Sequence, residues 1–363
     1  MSLRVLLVLG TSGGGVGRHV RDLATSLVEA GHAVIVAGPQ TVQDTLKLTP
    51  SGARFVAVPI SERPSPVLDA RSVRTIRRLA RGADVVHAHG LRAGALASLA
   101  RRRGGPPLVV TLHNALVSGG AVAVVYGVLE RIVARRADLV LGVSADLEER
   151  QRRLGAQRVG AAVIAAPALL APTHSVEVVR SGLGISATTP VLVTVARLTE
   201  QKGLTTLLDA VDLLRDPATE PVVLVAGDGP AKSLLQQRID DELLPVRLLG
   251  WRRDVPDLLA AADVAVSAAV WEGQPIWVQE ALAVGCPIVA TEVGGTARVV
   301  GDAAVLVPSG DPAALAGAVA RLLADTGARD ILRARGLARA AELPDADDAR
   351  EAALAAYADV RAE

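Results

Sequence analysis

The chain has one cysteine, Cys286, so no disulfide can close within it. That suits a reducing compartment, and the expectation is a cytoplasmic protein. Cys286 itself, just before an apolar run, reads as a small buried hydrophobe. Aromatic residues are almost as scarce: three Trp, two Tyr and one Phe among 363 residues. The core must therefore be aliphatic, with small residues that let helices approach sheets closely. Lysine occurs only at 47, 202 and 232. The other basic positions are arginine, so a lysine inside a motif is less easily background. Long apolar runs are missing too. None reaches the ~18–20 residues of a membrane span. The nearest, "AAVIAAPALLAP" at 161–172, is interrupted by two prolines. The opening "MSLRVLLVLG" ends at Gly10 with no cleavage pattern, so it reads as a first buried strand and not as a signal peptide.

Half of the residues are apolar, which is ample for a sizeable core. The length is long for one α/β domain and fits two of about 150–200 residues each. Charge divides the same way: residues 1–165 carry a net +11 and residues 166–363 a net −10. Opposite halves point to domains with different partners. Short apolar runs at 3–9, 33–38, 54–60, 84–90, 108–114 and 137–144 alternate with helical stretches. Continuous apolar strands separated by helices predict a parallel sheet covered on both faces. The alternation breaks at 166–189, where prolines, glycines and polar residues predict an interdomain linker. It restarts with strands at 190–198, 221–230, 246–250, 262–269, 287–291 and 303–311. The expected organisation is an α/β fold of two Rossmann-like domains facing across a cleft. An acceptor-binding domain would span 1–165 and a nucleotide-binding domain 190–345. A last helix, 346–363, would pack back toward the first domain.

Chemistry-bearing motifs cluster where strands end, the edge at which open α/β sheets bind ligands. "GTSGGGVGRH" turns the first strand into a helix, and its bare backbone N–H groups suit a phosphate. Glycines that merely pack a strand against a helix give the same pattern. No Gly-Lys-Ser/Thr follows, so it is not a P-loop, and its spacing is not G-x-G-x-x-G. In "ARLTEQKGL", Arg197 lies just past a strand and Lys202 five residues on. A planar fork and a point charge there can clamp a diphosphate, or can be incidental charges on a turn. "AGDGP" (226–230) is a similar turn, and "LLGW" (248–251) offers backbone groups to a flat base edge. His87 and His89 in "VVHAHG" and His113 in "TLHN" also fall at strand ends, as ligand groups or as buried hydrogen-bonded ones. No metal-ligand cluster is apparent, and no G-x-S-x-G elbow is present. In "WEGQPIWVQEALAVGCPIVATEVGG" (271–295), Glu272 and Glu280 stand eight positions apart around a Gly-Gln-Pro turn. Two such carboxylates serve acid/base chemistry or hold the hydroxyls of a sugar or ribose.

Together these motifs resemble the retaining, nucleotide-sugar-dependent glycosyltransferases of family four (glycosyl transferases group 1), which have the GT-B fold. The similarity covers essentially the whole chain. It rests on "GGGVGRHV", "VARLTEQKG", "AGDGP" and above all the E-x7-E stretch. The resemblance implies a donor that is a UDP- or GDP-linked sugar, with no further cofactor and no metal. It implies that Glu280 holds the ribose and that Glu272 lies toward the sugar and the reacting centre. By the same resemblance Arg197, Lys202 and Gly15 meet the diphosphate, and His113 is the active-site histidine beside the sugar. Leu249 and Gly250 would line the base. One departure stands out. The family commonly has a Phe-Gly or similar pair after the first glutamate, where backbone N–H groups meet the donor. This chain has Gln274-Pro275-Ile276, and Pro275 has no N–H to give. Gly273, Gln274 and Ile276 then remain as the donor loop.

In "DARSVRTIRRLARGAD", Arg71, Arg74, Arg78 and Arg81 recur at helical spacing. They form either a surface for an anionic lipid or phosphorylated acceptor, or a solvated arginine face. The expected partners are a nucleotide-sugar donor and an unidentified acceptor of lipid-linked or phosphorylated type. Peripheral contact with the anionic inner face of a membrane is expected, and no nucleic-acid partner. Two rival functions fit the same motifs: a sugar-nucleotide epimerase or hydrolase, and a catalytically silent sugar-nucleotide-binding protein.

Overall fold

The computed structural model describes residues 2–11, 15–47, 52–61, 64–115, 120–166, 171–215 and 220–362. These form two compact units, residues 1–165 with 344–363, and residues 166–343. The first holds β1 (Arg4–Leu9), β2 (Ala33–Gly38), β3 (Arg54–Ala57), β4 (Val85–His89), β5 (Leu108–Leu112), β6 (Leu139–Gly142) and β7 (Val159–Ala161). The second holds β8 (Val191–Val195), β9 (Val222–Ala226), β10 (Val246–Gly250), β11 (Val264–Ser267), β12 (Ile288–Thr291) and β13 (Val305–Val307). The sheet orders are β3-β2-β1-β4-β5-β6-β7 and β10-β9-β8-β11-β12-β13, and every pairing is parallel. In each sheet the order reverses beside the first strand of the unit, the switch point of a doubly wound fold.

Strand alternation explains why the sheets bury both faces. In the second sheet Leu192, Val223, Val225 and Val264 pack into one cluster, while Val191, Val193, Leu224 and Ala265 pack into another. Successive residues point to opposite faces, and helices cover both. Cys286 is buried beside this sheet, and burial pushes its thiol up to about 12. That leaves it protonated, as a packing residue would be.

Three elements differ from the sequence reading. β3 ends at Ala57 instead of running to residue 60, because its partner β2 ends at Gly38, opposite Ala57, where the chain turns into the helix Gln40–Leu46. β7 is a seventh strand that the sequence did not announce, three residues of Val-Gly-Ala paired with β6. The segment 166–189, expected to be irregular, contains a helix, Val176–Gly182, whose Ser175 side chain accepts from the Val178 N–H. The buried Arg180 fixes that helix by donating to the carbonyls of Ala187, Thr189 and Ala261 and pairing with Asp263.

The last helix, Ala346–Arg361, opens with a capping box between Asp345 and Asp348. Its Ala353, Tyr357 and Val360 enter the core of the first unit beside β5 and the helix Gly15–Glu29.

Candidate functional site

In the second unit the candidate residues lie on loops that leave the carboxyl ends of strands. After β8 the chain is held against the turn that follows β9: the Ala196 N–H donates to Ala226, the Leu198 N–H to Asp228, and the Ala231 N–H to Leu198. Arg197 projects from this braced strip, exposed and with no side-chain partner among the described residues. A short 3-10 turn, Glu200–Lys202, follows. Its Gln201 carbonyl accepts from the Val270 N–H, and its side-chain amide donates to the Trp271 carbonyl at 2.9 Å. Gly203 closes the turn at φ +60°, and a Cβ there would lie 1.9 Å from the Ala268 carbonyl oxygen. The two loops touch so closely that only glycine fits.

That contact sets up the main side-chain relationship. Lys202 Nζ lies 2.5 Å from Glu272 Oε1, with Glu272 buried and the Lys202 side chain about one-fifth exposed. The Glu272 carbonyl accepts from the Gly295 N–H at 2.9 Å. Gly294, at φ +53°, passes so near it that a Cβ would sit 1.9 Å from the oxygen. Loops after β8, β11 and β12 thus hold one ion pair at the sheet edge where ligands bind.

Beyond Glu272 the chain runs through Gly273, Gln274 and Pro275 into the helix Ile276–Ala283. Gly273 is buried, and Gln274 and Ile276 are half-buried. Glu280, also half-buried, lies one helical turn past Ile276 and therefore on the same side of the helix. Leu249 and Gly250 end β10, and the Gly250 carbonyl accepts from the Gly227 N–H at 2.8 Å. This ties the loop after β10 to the "AGDGP" turn.

In the first unit Gly15 begins the helix Gly15–Glu29, while Ser12, Gly13 and Gly14 lie outside the described residues. Four histidines gather at the carboxyl ends of β4 and β5. His87 is wedged between two hydroxyls, with Nδ1 2.7 Å from Tyr357 Oη and Nε2 2.8 Å from Thr111 Oγ1. His89 Nδ1 is 3.3 Å from His113 Nε2, so one of these nitrogens carries a proton and the other accepts it. The His19 ring lies 5.5 Å from that of His89 and 5.7 Å from that of His113. Burial pushes His19 down to about 4 and His87 to about 3, and holds His89 and His113 well below the usual histidine range. All four are neutral at pH 7. His113 can therefore donate or accept a hydrogen bond but brings no positive charge. His89 Nε2 is buried without a partner among the described residues. Among the described residues no group of three or more His, Cys, Asp or Glu is placed to hold a metal ion.

His87, His89 and His113 stand out in the sequence by their place at strand ends, whereas His19 and Tyr357 do not. His19 stands four residues after Gly15, which puts it on the same helical face as the glycine loop; that spacing was a usable signal. Tyr357 is 270 residues from His87, and no local pattern could join them. Gly203 and Gly294 also went unnamed, because their role is a contact between distant loops. On the helix Pro66–Ala80 and its end, Arg71, Arg74, Arg78 and Arg81 are all exposed, while Ile76 is buried.

Two family models match the chain. One, described as glycosyl transferase 4-like domain, covers residues 14–167; the other, described as glycosyl transferases group 1, covers 189–325. The D-inositol 3-phosphate glycosyltransferase of Xylanimonas cellulosilytica is 31% identical over 76% of this chain and 72% of its own. The phosphatidyl-myo-inositol mannosyltransferase of Mycobacterium leprae is 29% identical over 91% of this chain and 88% of its own. Two other curated relatives, from Bacillus subtilis and Escherichia coli, are matched over only 55% and 58% of their length. Among solved structures, HepE of Anabaena in complex with UDP-glucose superposes with a TM-score of 0.79 at 22% identity, over 98% of this chain and all of that one.

Proposed function

Because the chain belongs to the group 1 glycosyltransferases with a 4-like amino-terminal domain and shares their GT-B fold, we propose that it moves a sugar, with retention of anomeric configuration, from a nucleoside-diphosphate sugar to an acceptor carrying an anionic group. The observation that carries this reading is the braced edge of the second sheet. There an exposed Arg197, unpaired among the described residues, and the Lys202–Glu272 pair lie on loops locked together by Gly203 and Gly294. A leaving nucleoside diphosphate gains negative charge as the glycosidic bond breaks. Fixed cations stabilise that charge without reorganising during the reaction. Arg197 supplies a bidentate fork and Lys202 a point charge. Glu272 holds the Lys202 ammonium in place and offers its second oxygen toward the sugar. Glu280 is assigned to the ribose hydroxyls. Gly273, Gln274 and Ile276 supply the donor-loop N–H groups that Pro275 lacks, and Leu249 and Gly250 line the base. Gly15 is assigned to the phosphates through its position at a helix N-terminus. His113 acts as a neutral imidazole.

The acceptor class rests on two supports. One relative is named for D-inositol 3-phosphate and another for phosphatidyl-myo-inositol. The exposed arginines 71, 74, 78 and 81 give the amino-terminal unit a face suited to a phosphorylated or lipid-linked molecule, and to peripheral contact with an anionic membrane. Among the described residues no helix is long and apolar enough to cross a membrane.

The test is turnover of UDP- and GDP-sugars with and without phosphorylated acceptors, with the product followed by proton NMR. Transfer with an unchanged anomeric configuration is expected. Free sugar released equally with and without acceptor would point to the hydrolase, and an inverted product would remove the retaining assignment.

A further inference from the structure

At the opposite end of the first sheet, the amino ends of β4 and β5, lies a cavity of about 300 Å³ between the helices Pro66–Ala80 and Leu91–Ala100. That is room for about ten water-sized volumes, and within the range of small-ligand pockets. Its inner wall is aliphatic, formed by Ile76, Ala80, Val86, Ala97, Ala100 and Leu108. Its remaining wall is basic: Arg77, Arg81, Arg101, Arg102 and Arg103 line it, and no carboxylate does so among the described residues. Two of these arginines are committed to the fold. Arg77 donates to the carbonyls of Leu99 and Ala100, and Arg101 pairs with Asp138 at 2.6 Å. Arg81, Arg102 and Arg103 are exposed and have no side-chain partner among the described residues.

An apolar pocket rimmed by three uncompensated cations matches a ligand with the opposite pattern. The geometry points to a second binding site here, for a single-chain anionic amphiphile: an apolar chain in the aliphatic cavity and a phosphate-type head on Arg81, Arg102 and Arg103. The guanidinium fork suits a phosphate head. The chain gains by leaving water for a wall of Ile, Val, Leu and Ala. This site is separate from the histidine cluster, which lies at the carboxyl ends of the same strands, and it does not depend on the transferase reading.

Isothermal titration of the full chain with dodecyl phosphate, below its micelle concentration, tests it. Dodecanol, inorganic phosphate and phosphatidylglycerol vesicles serve as parallel probes. Saturable one-to-one binding of dodecyl phosphate is expected, at least tenfold tighter than that of dodecanol or phosphate. Ala97→Phe, which fills the cavity, should abolish it. The paired change Arg102→Gln with Arg103→Gln, both at exposed positions, should weaken it at least tenfold with the melting temperature unchanged. If Ala97→Phe melts early, the arginine pair decides. The proposal is overturned by dodecyl phosphate binding that the arginine pair leaves unchanged, by equal affinity for phosphate alone, or by binding to vesicles with none to the single-chain probe.

Discussion

Lys202 and Glu272 stand seventy residues apart in the sequence and meet at 2.5 Å, with both side chains largely withdrawn from water. The pair pins the loop after β8 to the loop after β11, so its loss should be felt in stability as well as in function. Lys202→Met and Glu272→Gln are each expected to destabilise the fold, since each leaves its partner in a poorly solvated site. The double variant should lose less than the sum of the two, with a coupling of about 1–3 kcal/mol by urea unfolding. Additivity within about 0.5 kcal/mol would mean that the two do not interact in solution.

Glu272→Gln and Glu280→Gln should fail in different ways. Glu280 sits on the helix Ile276–Ala283 and Glu272 before it, on the loop held by Gly294. If Glu280 grips the ribose, its variant should bind free nucleoside diphosphate more weakly. The Glu272 variant, whose amide oxygen can still accept from the Lys202 ammonium, should bind the nucleotide nearly as well as the parent and lose turnover by roughly 10²–10³, the usual cost of one preorganised contact at a reacting centre. Equal losses of nucleotide affinity in both would reverse or dissolve the assignment.

Tyr357 ties the last helix to the first sheet through one buried hydrogen bond, 2.7 Å from His87 Nδ1. Tyr357→Phe keeps the ring and removes the hydroxyl, leaving a buried ring nitrogen without its partner. The expected cost is about 1–3 kcal/mol. Tyr357→Ala adds the loss of packing and should cost about 3–5 kcal/mol. A Phe variant as stable as the parent would show that the bond contributes nothing net.

The buried histidines also predict how stability depends on pH. His19, His87, His89 and His113 all titrate below their unfolded value of about 6.5, chiefly because burial disfavours the charged form. Above that value neither state takes up the proton, and the stabilisation is complete. As pH falls below it, the unfolded chain takes up protons that the folded chain refuses, so stability declines. The decline continues toward about 4 for His19 and about 3 for His87. Each histidine contributes a slope of up to ~1.4 kcal/mol per pH unit. Urea midpoints measured between pH 7.5 and 5 read this effect, to which His32, also held low by burial, adds in the same sense; the depressed carboxylates Asp84 and Asp257, at about 2, act only at lower pH. A flat profile over that window would show that the cluster is open to water.

Much of the architecture could be read from the chain. Val-Leu-Ile runs a few residues long, each followed by helical periodicity, announced twelve of the thirteen strands found among the described residues and their parallel pairing. β7 escaped because three residues of Val-Gly-Ala carry no strand signal of their own and are specified by β6. The helix Val176–Gly182 escaped because its stability comes from Arg180, whose partners include residues some eighty positions away. The candidate residues were legible wherever a motif places chemistry at a strand end, as for Arg197, Lys202, Glu272 and His113, or on the helix that follows, as for Glu280. Their relationships were not. That Lys202 meets Glu272, that His87 meets Tyr357, and that Gly203 must be glycine because Ala268 lies against it are all facts of the folded backbone.

On the proposed function, loops at the carboxyl edge of the second sheet hold a nucleoside diphosphate. Arg197 tests it most cleanly, because its side chain is exposed and unpaired among the described residues, so its removal should leave the fold intact. The measurement is calorimetric titration of UDP and GDP into the parent and into Arg197→Ala, with melting temperatures recorded alongside. Saturable binding of at least one nucleotide by the parent is expected, with a loss of about 10–150-fold in the variant, the equivalent of a charge-assisted contact of roughly 1.5–3 kcal/mol. Unchanged nucleotide affinity in a stably folded Arg197→Ala, or no binding of either nucleotide by the parent, would contradict it.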